Sequence, residues 1–125
     1  MTRTTQTGPA PRRVAVTGIG IVSPLGNDEA TFFDALKAGR SGIRCLETPF
    51  ADRLNSKITA PVDFDGSAYF LPPKLRMLDR FSQFALVAAA QAMAGSGLQL
   101  DAQARARTGV FIGTGNGGGH IIDDG

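Results

Sequence analysis

The segment formed by residues 13–26 constrains the fold of this chain more than any other stretch. It begins as an apolar run that contains the β-branched residues Val14 and Val16, a composition typical of a strand buried on both faces of a parallel sheet. Pro24 ends the run because it has no N–H to donate to a neighbouring strand. Asn27 follows as the predicted N-cap of a helix. Together these features predict the first strand–helix unit of a parallel α/β sheet.

The remaining elements are predicted from hydrophobic spacing and from glycine and proline positions. We predict helices over residues 28–38, 73–94 and 101–107, and strands over residues 57–60 and 108–112. Gly39 is expected to end the first helix in a left-handed conformation. The Pro72–Pro73 pair is expected to open the long helix, where the missing N–H groups cost nothing.

The composition excludes several classes of protein. Thirteen basic and eleven acidic residues nearly balance, so no nucleic-acid-binding surface is indicated. Cys45 is the single cysteine, which excludes an intrachain disulfide and a cysteine-rich metal site and suits a reducing cytosol. No apolar run approaches the roughly 18 residues that would span a membrane. Residues 1–12 lack an apolar core and are expected to be a flexible leader rather than a signal peptide.

The wording of residues 16–26, Val-Thr-Gly-Ile-Gly-Ile-Val-Ser-Pro-Leu-Gly, resembles the start of β-ketoacyl-acyl-carrier-protein synthases. These are the elongating condensing enzymes of the thiolase-like superfamily, and the match is to the synthase II type. Further anchors of the resemblance lie at residues 38–43, 78–81, 94–98 and 112–115. Each anchor is weak alone, but the ordered set is specific and extends from about residue 12 to the last residue.

The resemblance implies a thiolase-like α/β fold, in which two similar halves form αβαβα layers and the protein assembles as a homodimer. Residues 13–125 would be an incomplete part of the N-terminal half. The implied reaction is the decarboxylative Claisen condensation of an acyl thioester with malonyl-carrier, in fatty acid or polyketide biosynthesis. Its implied partners are the acyl carrier protein and the acyl and malonyl thioesters. Neither a cofactor nor a metal is implied, and a cytoplasmic location is expected.

The resemblance places the catalytic cysteine and the two histidines of such enzymes beyond Gly125. Cys45 lies in a predicted loop without a nucleophile elbow, and we interpret it as a partly buried loop thiol. His120, the single histidine, follows the glycine-rich segment at residues 113–119 and matches none of the family's histidine motifs. The 125-residue chain alone is therefore predicted to be inactive.

Two regions of the chain are expected to touch substrate or partner. In related synthases the loop after the second strand lines the acyl pocket, which makes Asn116 a candidate substrate-binding residue. Related synthases also present basic residues at the start of the long helix, where acidic carrier proteins dock. Lys74 and Arg76 match such positions, while Met77 stands where another basic residue is common.

Two alternatives remain open at this point. A non-catalytic, chain-length-determining subunit of the same family would share these residues, because the discriminating cysteine position lies elsewhere. A nicotinamide-binding oxidoreductase is the other alternative, since Gly113, Gly115 and Gly118 match the dinucleotide-binding pattern. Neither the prompt helix nor the ribose-binding acid that this pattern requires follows the loop.

Overall fold

The computed structural model describes residues 12–115 and residue 117. The described residues form four helices: α1 (Glu29–Lys37), α2 (Pro72–Met77), α3 (Arg80–Ser96) and α4 (Ala102–Ala106). Between α1 and α2 lie two short strands, β1 (Arg44–Cys45) and β2 (Ile58–Thr59). Single turns of 3-10 helix lie at Ala51–Arg53 and Gly66–Ala68. The described part of the chain is thus a mixed helix and strand unit. The helices expected over 28–38 and 101–107 and the short strand expected over 57–60 are confirmed.

The two longer predicted strands are not formed in the structure. Residues 12–22 and 108–114 adopt no strand pairing, and the parallel sheet is absent from the described residues, whose two strands pair antiparallel. Val14 and Val16 are 91% and 83% exposed, and Phe111 is 95% exposed. A strand needs neighbours to satisfy its backbone groups, and within the described residues neither segment has one. Both segments therefore have the composition of a buried strand, but the described residues contain no neighbouring strand for either of them.

Residues 18–21 lie against α3 instead of in a sheet. A Cβ atom on Gly18 would overlap the carbonyl oxygen of Ala92, and one on Gly20 would overlap that of Ala88. The Ile21 N–H donates to Gln91 Oε1 at 2.8 Å. Glycine is therefore required here because the two backbones approach more closely than any side chain allows.

Helix α1 begins one residue later than the sequence suggested. Asp28, not Asn27, is the N-cap, and its carboxylate accepts from the Thr31 N–H at 2.8 Å and from the Thr31 hydroxyl at 2.7 Å. These hydrogen bonds lower the pKa of Asp28, because they favour the ionised form. The Asn27 side-chain amide donates instead to the Asp63 carbonyl. Gly39 follows the helix with φ of 64°, as expected.

The long helix expected over 73–94 is two helices, α2 and α3, with a break at Leu78 and Asp79. Both residues are extended, with ψ of 122° and 155°. The Gln83 side-chain amide donates to the freed Leu78 carbonyl at 2.9 Å, which replaces a lost helical hydrogen bond. Asp79 is the N-cap residue of α3 although its side chain makes no capping hydrogen bond, and the apolar spacing on either side concealed the break.

Candidate functional site

Helix α2 carries both predicted docking residues, Lys74 and Arg76, and both are exposed. Pro72 and Pro73 occupy its first positions after an extended Leu71. Proline fixes φ near the helical value, so this short helix is pre-set by its own sequence. The structure therefore places the two predicted cations on the same short helix, two residues apart and on different sides of it.

The two cations are available to an external partner. Lys74 Nζ lies 5.5 Å from the centroid of the Phe70 ring, a distance that suits a cation–π contact. Neither Lys74 nor Arg76 forms an ion pair in the part of the chain that the structure describes, whereas Lys37 pairs with Asp34 at 2.6 Å. An exposed cation without a carboxylate partner is suited to long-range attraction of an acidic surface.

Arg80, the first residue of α3, connects this helix to residues 62–64. Its guanidinium donates to the carbonyls of Val62 at 3.1 Å and Phe64 at 3.4 Å. It also lies 5.9 Å from the Phe64 ring centroid and 5.3 Å from that of Phe84. Phe64 is buried and contacts the Phe84 ring edge-on at 5.0 Å. Arg80 is thus a structural cation, a role that its position beside Asp79 did not reveal.

An apolar cleft of about 180 Å³ adjoins the same region. Its lining residues are mostly aromatic and aliphatic: Tyr69, Phe70, Leu86, Val87, Ala90 and Gln91. Phe70 belongs both to this cleft and to the contact with Lys74. The cation surface and the apolar cleft are therefore continuous.

Of the remaining candidate residues, Cys45 is the one that lies within the described part of the chain. Asn116 and His120 lie outside the described residues. Cys45 lies in β1 and is exposed, so the expectation of a partly buried loop thiol is wrong; pairing of β1 with β2 places it on an open edge. Within residues 12–115 and 117, no three His, Cys, Asp or Glu side chains lie close enough to hold a metal ion.

Gly18 and Gly20, which follow the first apolar run, do not form a phosphate-binding loop. The space that a phosphate would need beside Gly18 and Gly20 is filled by the backbone of α3. The next helix, α1, has the Asp28 carboxylate at its N-terminus, where a phosphate would otherwise bind. This geometry argues against a dinucleotide site at residues 18–23.

The described helices also show no segment that is both long and apolar enough to cross a membrane. What the geometry defines is a mixed helix and strand unit with an exposed basic helix. A family model for the N-terminal domain of β-ketoacyl synthases matches residues 11–124. The chain belongs to this family.

Curated relatives agree with the family match. The 3-oxoacyl-[acyl-carrier-protein] synthase 2 of Vibrio harveyi is 39% identical over 115 residues, which are 91% of this chain and 28% of that protein. Its namesake in Coxiella burnetii is 42% identical over 65% of this chain and 20% of that protein. The tetracenomycin polyketide synthase ketoacyl synthase alpha subunit of Streptomyces glaucescens is 39% identical over 67% of this chain and 20% of that protein. The chain thus spans between a fifth and somewhat over a quarter of the length of these relatives.

Proposed function

We propose that this chain supplies the first part of a 3-oxoacyl-[acyl-carrier-protein] synthase. The enzyme would join an acyl thioester to malonyl-carrier by decarboxylative Claisen condensation, in fatty acid or polyketide biosynthesis. The observation that carries this proposal is the family match over residues 11–124. Relatives named for both fatty acid and polyketide synthesis are similar to the chain, so either pathway fits.

The fold proposed for the whole protein is the thiolase-like one, with αβαβα layers and a homodimeric assembly. The exposed apolar residues of segments 13–17 and 108–112 support it, because both segments have the composition of sheet strands and no strand pairs with either of them within the described residues. Strands from other parts of the protein would cover them. Residues 13–125 would be a portion of the N-terminal domain.

The catalytic cysteine and histidines would lie outside the present residues. A cysteine nucleophile needs a helix N-terminus or a cationic neighbour to form the thiolate. Cys45 lies in a two-residue strand instead, so it is not assigned this role. The chain alone is expected to be inactive, and the proposed chemistry requires neither a metal nor a nucleotide cofactor. A cytoplasmic location is part of the same proposal.

The acyl carrier protein is the proposed partner of helix α2. Carrier proteins are acidic, and Lys74 and Arg76 are exposed cations without an ion-pair partner within residues 12–115 and 117. Their attraction would act mainly on the rate of encounter. Asn116 is proposed to line the acyl pocket. An unpaired amide against a hydrocarbon chain costs on the order of 1–3 kcal/mol, so a shorter or more polar acyl chain would be preferred.

The test uses the full-length protein that contains this chain. Incubated with acyl-carrier and malonyl-carrier, it is expected to release carbon dioxide and form the β-ketoacyl product, detected by mass spectrometry. Unloaded carrier in place of malonyl-carrier is the control. A folded protein that binds carrier but forms no product would instead be the non-catalytic, chain-length-determining subunit. Oxidation of a nicotinamide cofactor without condensation would favour the oxidoreductase alternative.

A further inference from the structure

Helix α2 does not continue into α3, so its direction depends on contacts made across the break between them. Leu78 and Asp79, which form the break, are extended. A helix of six residues is too short to be stable without tertiary contacts. The 3-10 turn Gly66–Ala68 packs against α2. Side chains that join α2, this turn and the start of α3 therefore decide where α2 points.

Gln83, near the start of α3, contacts both of the other parts. Its side-chain amide donates to the carbonyl of Leu78, the C-cap of α2, at 2.9 Å in a partly buried position. Its carboxamide oxygen lies against Gly66, where a Cβ atom would overlap Gln83 Oε1 and would lie 2.7 Å from Leu75 Cδ1. Gly66 is buried. One side chain of α3 thus bonds the end of α2 and packs, together with Leu75 of α2, on the 3-10 turn.

The turn that Gln83 packs on is itself connected to α3. The Arg80 guanidinium donates to the carbonyls of Val62 at 3.1 Å and Phe64 at 3.4 Å, in the segment that leads into the turn. The turn begins at a capping carboxylate, Asp65, which accepts from the Ser67 N–H at 2.9 Å. Gln83 therefore sets the end of α2 against a support whose place relative to α3 is already fixed.

We infer that Gln83 is a positioning residue, whose carboxamide, packed on Gly66, fixes the direction in which α2 leaves α3 and thereby the placement of Lys74 and Arg76. This inference rests on the proposed function and concerns residues outside α2. Gln83 acts through α2 and contacts neither substrate nor carrier. Loss of its carboxamide would weaken the binding of carrier-bound substrate and leave the chemical step unchanged, so the change would appear in KM and not in kcat.

The kinetic experiment uses the full-length synthase. Gln83→Met, which keeps the length of the side chain but removes its donor and acceptor, is expected to raise KM for acyl-carrier by about two- to fivefold, the range that exposed charges contribute. KM for acyl-coenzyme A and both kcat values should stay the same. Gly66→Ala should act likewise, because its Cβ would displace the flexible ends of Gln83 and Leu75. Gln103→Met, at an exposed position of α4, is the matched control.

Hydrogen exchange of the same proteins gives a second measurement that needs no substrate. In Gln83→Met the amides of residues 74–78 are expected to exchange faster, since a helix that loses its tertiary contacts opens more often. The amides of residues 86–95 in α3 should keep the rates of the wild type. The Gln103→Met control should match the wild type in both segments.

Three results would overturn the inference. The first is unchanged exchange at residues 74–78, which would show that Gln83 does not hold α2. The second is an equal loss with both acyl donors, together with faster exchange throughout α3, which would make Gln83 a residue of general stability. The third is faster exchange at residues 74–78 with unchanged KM for acyl-carrier. If the wild type itself forms no condensation product, the proposed function fails, and the exchange rates still decide whether Gln83 positions α2.

Discussion

The Gln91 side-chain amide donates to the main-chain carbonyl of Asn27 at 2.6 Å, across 64 residues of sequence. Its carbonyl oxygen accepts from the Ile21 N–H at 2.8 Å. One side chain in α3 thereby satisfies a donor and an acceptor of the segment that leads into α1. Backbone groups in such a segment are costly to leave without partners when partly buried. Gln91 is therefore a structural clamp between the start of the described chain and its longest helix.

Replacement of Gln91 by alanine is expected to destabilise the protein by about 1–3 kcal/mol, because it leaves the Ile21 N–H and the Asn27 carbonyl without partners. Urea denaturation of the full-length protein measures this loss. Gln103→Ala in α4 is the matched control, since Gln103 is exposed, and is expected to stay within about 0.5 kcal/mol. Equal stability of the Gln91→Ala and control variants would show that water replaces the clamp.

Replacement of Gly20 by alanine is expected to destabilise the protein by about 1–3 kcal/mol or more, since the new Cβ would overlap the Ala88 carbonyl and force the segment away from α3. Thermal unfolding measures the change. Gly95→Ala provides the contrast, because a Cβ at this helical position meets no atom within 4 Å. That variant is expected to gain up to about 1 kcal/mol from helix propensity. A tolerated Gly20→Ala would contradict the close approach of the two backbones.

The Asp28 cap is expected to make stability depend on pH in the acidic range. The Thr31 hydrogen bonds lower the pKa of Asp28 in the folded chain. The stabilisation is therefore fully present above the pKa of the unfolded chain, about 3.9. It disappears as the pH falls through the lower pKa of the folded chain. Asp28→Asn keeps a capping acceptor that does not titrate. The stability advantage of the wild type over Asp28→Asn should therefore shrink as pH is lowered from 6 towards 2. A constant difference over that range would contradict the assignment.

Reversal of the charge at Arg76 is expected to impair the use of carrier-bound substrate. Arg76→Glu should lower kcat/KM for acyl-carrier by about fivefold, the equivalent of about 1 kcal/mol, because exposed charge pairs contribute little. Acyl-coenzyme A, which does not need the carrier surface, should be used as before. Arg107→Glu, in an exposed position after α4, is the matched control. Equal losses with both substrates at all salt concentrations would assign Arg76 a structural role.

Asn116→Ile in the full-length enzyme is expected to shift preference towards longer saturated acyl chains. The change removes a polar amide and adds a branched apolar group. Together these contribute about 1–3 kcal/mol to binding of the distal methylene groups of the acyl chain. The comparison of kcat/KM across a series of acyl-carrier lengths measures the shift. Asn116→Gln retains the amide and serves as the control. An unchanged chain-length profile in a normally folded variant would show that residue 116 does not line the pocket.

Local structure was predictable where short-range chemistry decides it. Gly39 and Gly97 both end helices with φ of 64°, and α1 and α4 begin after aspartate caps. Gln91 could have been noticed as the single polar side chain between Phe84 and Gly95 in an otherwise apolar helix. The pairing of β1 with β2 was not predictable, because two-residue strands carry no periodicity.

The expected parallel sheet is not formed among the described residues for a different reason. The composition of residues 13–22 suits a strand that is buried between neighbouring strands. The described residues contain no strand that pairs with this segment. On helix α2, the exposure of Lys74 and Arg76 was foreseeable from their place in the first turns of a proline-initiated helix. The contacts of Arg80 with carbonyls and aromatic rings were not foreseeable, since they depend on the packing of residues 62–64 and Phe84 around it.

The approach of Gly18 and Gly20 to α3 has a consequence for how this sequence can diverge. The atoms that exclude a side chain at these positions are main-chain atoms of α3, chiefly the carbonyls of Ala92 and Ala88, and not side-chain methyl groups. No substitution on the helix can remove a carbonyl, so a change at either glycine has no compensating partner in α3. Residues of α3 that face the two glycines can therefore be substituted during evolution while Gly18 and Gly20 stay glycine. These two positions should show no covariation with the α3 residues that they contact.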